Sequence, residues 1–160
     1  MKVSIYFTVV FIILSSSSKS QIDKYVLFDS SYAPSILRQC SRSVPEIEGV
    51  WNPSPSDVKS LESNLEQISK LKSTDCCLLD AQIPNPSYYC RQYVGIIVKG
   101  RKVIYINAFV PLMGTNLRTS DPNYWRKNVI VICDGGESVW GCEYDVQNNC
   151  FYNLSINGVA

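Results

Sequence analysis

The sequence predicts an α+β fold in which one long helix packs on an antiparallel sheet of four or five strands and disulfides staple the layers. Three observations predict it. One segment has helical periodicity, the C-terminal half alternates strand-like runs with turns, and the chain has seven cysteines. In a chain of 160 residues, we expect a signal peptide over residues 1–20 and one domain over residues 21–160.

The predicted helix begins within the segment 51–57. Ser54 fits the N-cap, Pro55 fits the first helical position, and Asp57 lies in the first turn, where the helix dipole favours a carboxylate. Apolar residues then recur every three or four positions, as on one face of a helix of about five turns. A groove-binding helix would show the same stripe, but a core helix is much commoner. The stripe consists of Val58, Leu61, Leu65, Ile68 and Leu71.

Two strand-like runs, 88–98 and 101–109, flank the dipeptide Lys99-Gly100. Glycine supplies the positive φ that a two-residue hairpin turn requires, so these runs predict a β-hairpin. Both runs are apolar on both faces. This pattern predicts central strands, or strands at an assembly interface.

The stretch 129–156 predicts a three-stranded meander, because three strand-like runs are separated by two turns. The length of the second turn decides which residues share a face. A five-residue turn over 145–149 groups the cysteines with the apolar residues that receive the helix. A four-residue turn would instead place Glu143 and Asp145 on the face of Cys150, so we prefer the five-residue turn.

Residues 1–20 predict a secretory signal peptide, because Lys2 precedes an apolar run and small residues precede the expected cut. The run of about a dozen residues is too short to span a membrane, although a retained signal anchor is the alternative. Removing Lys2 and Lys19 from 15 basic residues leaves 13 against 14 acidic ones, a net charge of −1. We expect a secreted or periplasmic chain that binds neither nucleic acid nor membrane surfaces.

The cysteines predict disulfide bonds in an exported chain. Because seven is odd, one thiol is free or intermolecular, and about 105 arrangements stay open. Cys76 and Cys77 would form a strained vicinal bond or, as is commoner, pair elsewhere. Zinc is disfavoured, because the chain has no histidine and no C-x-x-C pair. The disulfide candidates are Cys40, Cys76, Cys77, Cys90, Cys133, Cys142 and Cys150.

The absence of histidine excludes the Ser-His-Asp and Cys-His arrangements, and no nucleotide-binding loop is visible. No metal or other cofactor is predicted. Carboxylates around the two turns could serve a glycosidase or a calcium site, but Asp-Gly-Gly-Glu is also what a turn prefers. These carboxylates belong to Asp134, Glu137, Glu143 and Asp145.

The segment 110–127 has no clear period, and ordered loops of this length are often functional. We therefore predict a binding surface formed by Tyr124 and Trp125 together with Asp134 and Glu137. The structural alternative is that Trp125 closes the edge of the core.

Asn153 begins the sequon Asn-Leu-Ser, and the predicted faces turn it outward. Glycosylation there is expected only if the source is eukaryotic.

Parts of residues 91–160 resemble a family of small, mostly uncharacterised exported proteins. The resemblance lies in 91–95 with 101–108, and in 131–136 with Trp140-Gly141, Glu143-Tyr-Asp145 and 157–160. It implies no activity.

The order of a helix followed by a meander also resembles cystatin-like folds. The inhibitory cystatin hairpin has Gln-x-Val-x-Gly, whereas Gln92-Tyr-Val-Gly95 places its glycine one residue early and the second hairpin's Pro-Trp is absent. The resemblance therefore implies the topology, not protease inhibition.

Together these observations predict a secreted, non-enzymatic binding or inhibitory module that recognises an extracellular protein or a small ligand. One alternative is a hydrolase that uses carboxylates near Asp134 and Glu143. Another is a structural extracellular protein that assembles through an exposed sheet face.

Overall fold

The computed structural model describes residues 23–74, 78–115 and 120–159. The predicted signal peptide, Cys76 and Cys77 lie outside these residues, as do residues 116–119 of the predicted binding loop.

The described chain forms one six-stranded sheet with short helices on both of its faces. Its strands have the order β1-β3-β4-β5-β6, and β2 also pairs with β3. Strand β1 runs parallel to β3, whereas the other pairs are antiparallel. The elements are β1 (Tyr25–Leu27), α1 (Ala33–Ile36), β2 (Gly49–Val50), α2 (Pro55–Asn64), β3 (Cys90–Val98), β4 (Arg101–Phe109), β5 (Val139–Asp145) and β6 (Cys150–Ile156).

The predicted fold class is corrected in two respects. The expected antiparallel sheet of four or five strands is a mixed sheet of six. The expected long helix is the ten-residue α2, continued by a six-residue 3-10 helix over Leu65–Lys70. The change of helix type fits the apolar spacing, because Leu65, Ile68 and Leu71 recur every three residues, as a 3-10 helix repeats. The predicted cystatin-like arrangement is therefore wrong.

The predicted start of α2 is confirmed. The Ser54 side chain accepts a hydrogen bond from the Asp57 backbone N–H at 3.3 Å, and Asp57 accepts one from the Ser54 N–H at 2.8 Å. This reciprocal capping box satisfies two helix-terminal donors. The stripe is also confirmed as core, because α2 and its extension bury it against one face of the sheet, here named the helix face. Its buried members are Val58, Leu61, Leu65 and Ile68.

The predicted central hairpin is confirmed as well. Lys99 and Gly100 have φ values of 49° and 72°, and Val98 pairs with Arg101 across the turn. Two positive φ values in a two-residue turn match the right-handed twist of the strands. Both faces of β3 and β4 are covered, the helix face by α2 and the opposite face in part by α1.

The predicted first strand of the meander, Val129 to Cys133, is not a strand. This segment crosses the opposite face, where side chains of the sheet replace the missing strand partners. Ile130 donates its N–H to Gln92 Oε1 at 3.0 Å and accepts from Asn107 Nδ2 at 2.8 Å. Apolar alternation looks the same whether backbone or side-chain amides supply the hydrogen bonds, so the sequence pattern was misleading here.

The second turn of the meander is one residue shorter than predicted. Asp145 pairs with Cys150, which leaves four residues between them. The pairing of β5 and β6 then shifts by one residue between Gly141 and Glu143, and Asn153 adopts a φ of 51° at this bulge.

The bulge corrects the predicted grouping of residues by face. Tyr152 pairs with Glu143 on the opposite face, whereas Leu154 and Ile156 join the core of the helix face. The predicted common face for Tyr152, Leu154 and Ile156 is wrong, because an inserted residue reverses the two-residue alternation of a strand.

Cys40 and Cys133 form a disulfide across a sequence separation of 93 residues. It joins the segment after α1 to the crossing segment 129–133. Of the other cysteines that the structure describes, Cys90 and Cys142 are free and buried, and Cys150 is free and exposed. Burial raises the pKa of both buried thiols, which makes them poor nucleophiles.

Asp145 closes β5 and is almost fully buried. It accepts hydrogen bonds from the N–H groups of Gln147 and Asn148, both at 3.0 Å, and from Arg101 Nη1 at 2.9 Å. Burial alone would raise the pKa of Asp145, but the bonds from Asn148 and Gln147 and the charge of Arg101 together lower it.

Replacing Gln92 by alanine tests the side-chain hydrogen bonds to the crossing segment. Its amide also donates to the carbonyls of Trp125 and Asn128, both at 2.7 Å. Because buried backbone groups would lose their partners, we expect Gln92→Ala to lower the free energy of unfolding by about 3–5 kcal/mol in urea titrations. The matched Gln82→Ala removes an exposed amide and should cost less than about 0.5 kcal/mol. Equal losses would contradict the assigned role.

Replacing Asp145 by asparagine tests its lowered pKa. A carboxyl whose pKa is lower in the folded state stabilises the fold above its unfolded value of about 3.9, and this stabilisation is lost as the pH falls through the folded value. We expect Asp145→Asn to weaken the protein at pH 7 and to flatten the decline in urea midpoint between about pH 4 and pH 2. Asp80→Asn, which removes an exposed acid, should keep the decline of the unsubstituted protein.

Candidate functional site

The structure places Trp125 in the core rather than on the surface. Its side chain is 3% exposed, and its ring meets the Phe109 ring edge-on with 6.2 Å between centroids. Arg126 lies over the Trp125 ring at 4.4 Å, and Tyr124 is half-buried. Trp125 thus closes the edge of the core, which is the structural alternative given above. Its buried ring is not available to a binding partner.

The predicted acidic turn holds Asp134 and Glu137 on the surface. Gly135 and Gly136 between them have φ values of 100° and 52°, a conformation that glycine adopts without strain. Turn geometry therefore accounts for the Asp-Gly-Gly-Glu sequence. Neither carboxylate residue lines the cleft described next.

A cleft lies on the opposite face of the sheet, between the strands β4 to β6 and the segment 43–46. It consists of two adjoining depressions of about 230 and 400 Å³, which share Pro45, Glu143 and Asn153. We name it the Glu143 cleft. The residues that define it are Val44, Pro45, Tyr105, Glu143, Tyr152 and Asn153.

The strand register brings the polar groups of the cleft together. Tyr105 lies opposite Glu143 across β4 and β5, and Tyr152 lies opposite Glu143 across β5 and β6. Gly141 lies two residues before Glu143 in β5, and its lack of a side chain leaves room for Arg42 to reach Tyr105. A Cβ at this glycine would lie 2.6 Å from the Tyr105 hydroxyl and 2.9 Å from Arg42 Nε, so a larger residue would displace both.

Glu143 has a hydrogen bond of ordinary geometry at only one of its two carboxylate oxygens. The residue is 3% exposed, and its Oε1 accepts a hydrogen bond from Asn153 Nδ2 at 3.0 Å. Its Oε2 is buried and has no hydrogen-bond partner in the described chain. Among the described residues, Glu143 also takes part in no ion pair. Burying a carboxylate in this way costs free energy, because it gives up water without gaining a full set of donors.

The Tyr152 hydroxyl stands beside this carboxylate and is likewise buried without a hydrogen bond of ordinary geometry. Burial first, and then the charge of Glu143 and a side-chain hydrogen bond to its carboxylate, raise the pKa of Tyr152, so the phenol keeps its proton. Arg101 lies 5.7 Å from the centre of the Tyr152 ring, but its guanidinium is already paired with Asp145.

Arg42 provides a buried positive charge on the far side of Tyr105. Its guanidinium donates to the Tyr105 hydroxyl at 3.3 Å, to Asn157 Oδ1 at 3.0 Å and to Asn107 Oδ1. All three acceptors are neutral. A buried cation and a buried anion thus flank Tyr105, and each is held by neutral groups of the fold.

A second polar cluster joins α2 to β3 and is fully satisfied. Arg91, 3% exposed, forms a two-bond ion pair with Glu62 at 3.1 and 3.3 Å and also donates to the Tyr93 hydroxyl. Its Nη1 donates to the carbonyls of Pro86 and Tyr89. Because every nitrogen of the Arg91 guanidinium has a partner, this cluster is explained by its structural role.

The chemistry that the cleft can perform is restricted. In the parts of the chain that the structure describes, no three Cys, Asp or Glu side chains gather as a metal site would require. Of the two carboxylates predicted to act together, Glu143 lines the cleft and Asp134 does not. The cleft instead offers an acceptor, Glu143 Oε2, and a donor and acceptor, the Tyr152 hydroxyl.

Sequence reasoning identified Glu143 but missed the residues around it. A four-residue second turn would have indicated the shared face of Glu143 and Tyr152, and the five-residue turn that we preferred concealed it. Arg42 and Tyr105 carried no signal, since their roles arise from tertiary contacts.

Asn153 is exposed, as predicted, and its side-chain nitrogen donates to Glu143. Its glycosylation stays a prediction.

Comparisons of this chain with protein-family models, with curated proteins and with solved structures found no match. The resemblance of residues 91–160 to small exported proteins therefore stays a prediction.

Proposed function

We propose that this protein is a secreted, non-enzymatic binding module and that the Glu143 cleft is its ligand-contacting surface. The observation that carries the proposal is Glu143, a buried residue that lines a cleft and whose Oε2 has no hydrogen bond of ordinary geometry in the described chain. Buried polar groups in folded proteins are nearly always paired, and the exceptions concentrate at functional sites. A ligand that donates a hydrogen bond here would supply the missing partner.

Two features support export. The Cys40–Cys133 disulfide fits an oxidising compartment, where such bonds persist. The N-terminal sequence has the charge, the apolar run and the small residues of a signal peptide. Within residues 23–74, 78–115 and 120–159, no helix has the length and apolar character to cross a membrane.

Binding is favoured over hydrolysis by the composition of the cleft. Glycoside hydrolysis needs two carboxyl groups at a defined separation, one of them placed as an acid and the other as a base or nucleophile. The second acidic residue lining the cleft, Glu46, is exposed at its rim, whereas Glu143 is buried and held by Asn153. This arrangement supports recognition of a ligand by Glu143 rather than shared catalysis.

Photocrosslinking tests whether partners contact the cleft. A benzophenone amino acid at Val44, a cleft residue that is 36% exposed, should crosslink to a partner in the extracellular fluid of the source. The same group at Val50, which is 46% exposed and lies in β2, is the matched control and should not. Glu143→Gln should reduce the Val44 adduct at least about tenfold, because the ligand loses its charged acceptor. Equal adducts at both positions, or none at either, would refute the proposal.

A parallel assay measures turnover of glycoside, ester and peptide substrate panels by the purified protein. We expect no turnover above the rate without protein. Turnover that disappears in Glu143→Gln would replace the binding proposal with the hydrolase alternative.

A further inference from the structure

We infer that the Glu143 cleft binds a primary ammonium group, carried either by a lysine side chain or by a free alkylamine. This inference rests on the proposed function and adds the chemical class of the ligand to it. Three properties of the cleft lead to this class: the sign of its unpaired charge, the number of its free acceptor atoms, and its size.

The unpaired charge in the cleft is negative. Glu143 is 3% exposed and forms no ion pair with any residue that the structure describes. Two of the three nearby cations are engaged, since Arg101 pairs with Asp145 at 2.9 Å and Arg42 donates to three neutral acceptors. The third, Lys99, is exposed where it lines the depression of about 400 Å³, and it forms no ion pair with Glu143. A buried charge without its counterion is costly, and a cationic ligand offsets that cost. An anionic ligand would meet Glu143 and be repelled.

The free acceptor atoms favour ammonium over guanidinium. Guanidinium binds a carboxylate best through two parallel hydrogen bonds to both oxygens. Here Asn153 Nδ2 occupies Oε1 at 3.0 Å, which leaves Oε2 for the ligand. An ammonium group is a compact charge with three donors that need no planar fork. Beyond Oε2, the Tyr152 hydroxyl, which has no hydrogen bond of ordinary geometry, can accept a second of these donors.

The size and walls of the cleft suit a short aliphatic stem. The inner depression of about 230 Å³ is smaller than most pockets for drug-sized ligands, which begin near 300 Å³. Val44, Pro45 and the Tyr105 ring line it and can cover methylene groups while the charged end reaches Glu143. A lysine side chain has this form, with four methylenes and a terminal ammonium.

Nuclear magnetic resonance titration of the full chain tests the inference with N-acetyl-lysine-N′-methylamide and butylamine as probes. We expect both to shift amide resonances of β5 and β6, with Kd on the order of 1 mM for one charged group on a short stem. The neutral analogue N-acetyl-norleucine-N′-methylamide has the same stem without the charge and should bind at least about tenfold more weakly.

Substitutions locate the site. Glu143→Gln keeps the shape of the side chain and removes its charge, so it should weaken ammonium binding at least about tenfold. Glu66→Gln makes the same change at an exposed position on the extension of α2 and should leave binding unchanged. If Glu143→Gln does not fold, Val44→Trp fills the cleft from its exposed wall and should block the probes.

The outcomes distinguish the two sources of the ammonium group, and they also distinguish failure of this inference from failure of the proposed function. Tighter binding of the lysine derivative supports a lysine side chain of a protein partner, and equal binding of butylamine supports a free amine. Equal binding of the norleucine analogue, tighter binding of an arginine derivative, or unchanged binding by Glu143→Gln would each overturn the inference. Absence of amine binding together with a Val44 crosslink would overturn the inference and leave the proposed function standing.

Discussion

The structure depends on a chain of buried side-chain amides that holds an irregular segment against the sheet. Gln92 and Asn107 lie side by side on central strands and bond to the backbone of Ile130. Asn157 continues the chain by donating to the carbonyls of Ile132 and Asp134 at 2.6 and 3.1 Å. Without these amides the segment would bury backbone groups with no partners, which is among the costliest defects a fold can carry.

The same amides fix the cleft, because they also hold Arg42. Asn107 and Asn157 accept hydrogen bonds from its guanidinium, and the neighbouring Cys40 is tied to Cys133 at the end of the crossing segment. The chain between Cys40 and the cleft wall therefore has little freedom. A site that is positioned before its ligand arrives loses less conformational entropy on binding, so this rigidity favours recognition.

What the sequence could predict depended on the range of the interactions. The capping box at Ser54 and the turn at Lys99-Gly100 are encoded within a few residues, and both were predictable. The alternation of the crossing segment predicts a strand, because its actual partners, Gln92 and Asn157, are distant in sequence and look like ordinary polar residues. The shared face of Glu143 and Tyr152 depends on the length of the turn between β5 and β6, and the placement of Leu154 and Ile156 depends on the bulge beyond it, which a period-two pattern cannot show.

Glu143 differs from the other buried charged residues in how its side chain is satisfied. Asp145 accepts hydrogen bonds from its turn and pairs with Arg101, and Arg91 pairs with Glu62 through two bonds. Arg42 has no ion pair among the described residues, yet its guanidinium donates hydrogen bonds to three fixed acceptors. Glu143 alone in this set has an oxygen without a hydrogen bond of ordinary geometry, and the residue lines a cleft. A fold that satisfies its other buried charges so fully has the means to satisfy this one, and the missing partner is best explained as part of another molecule.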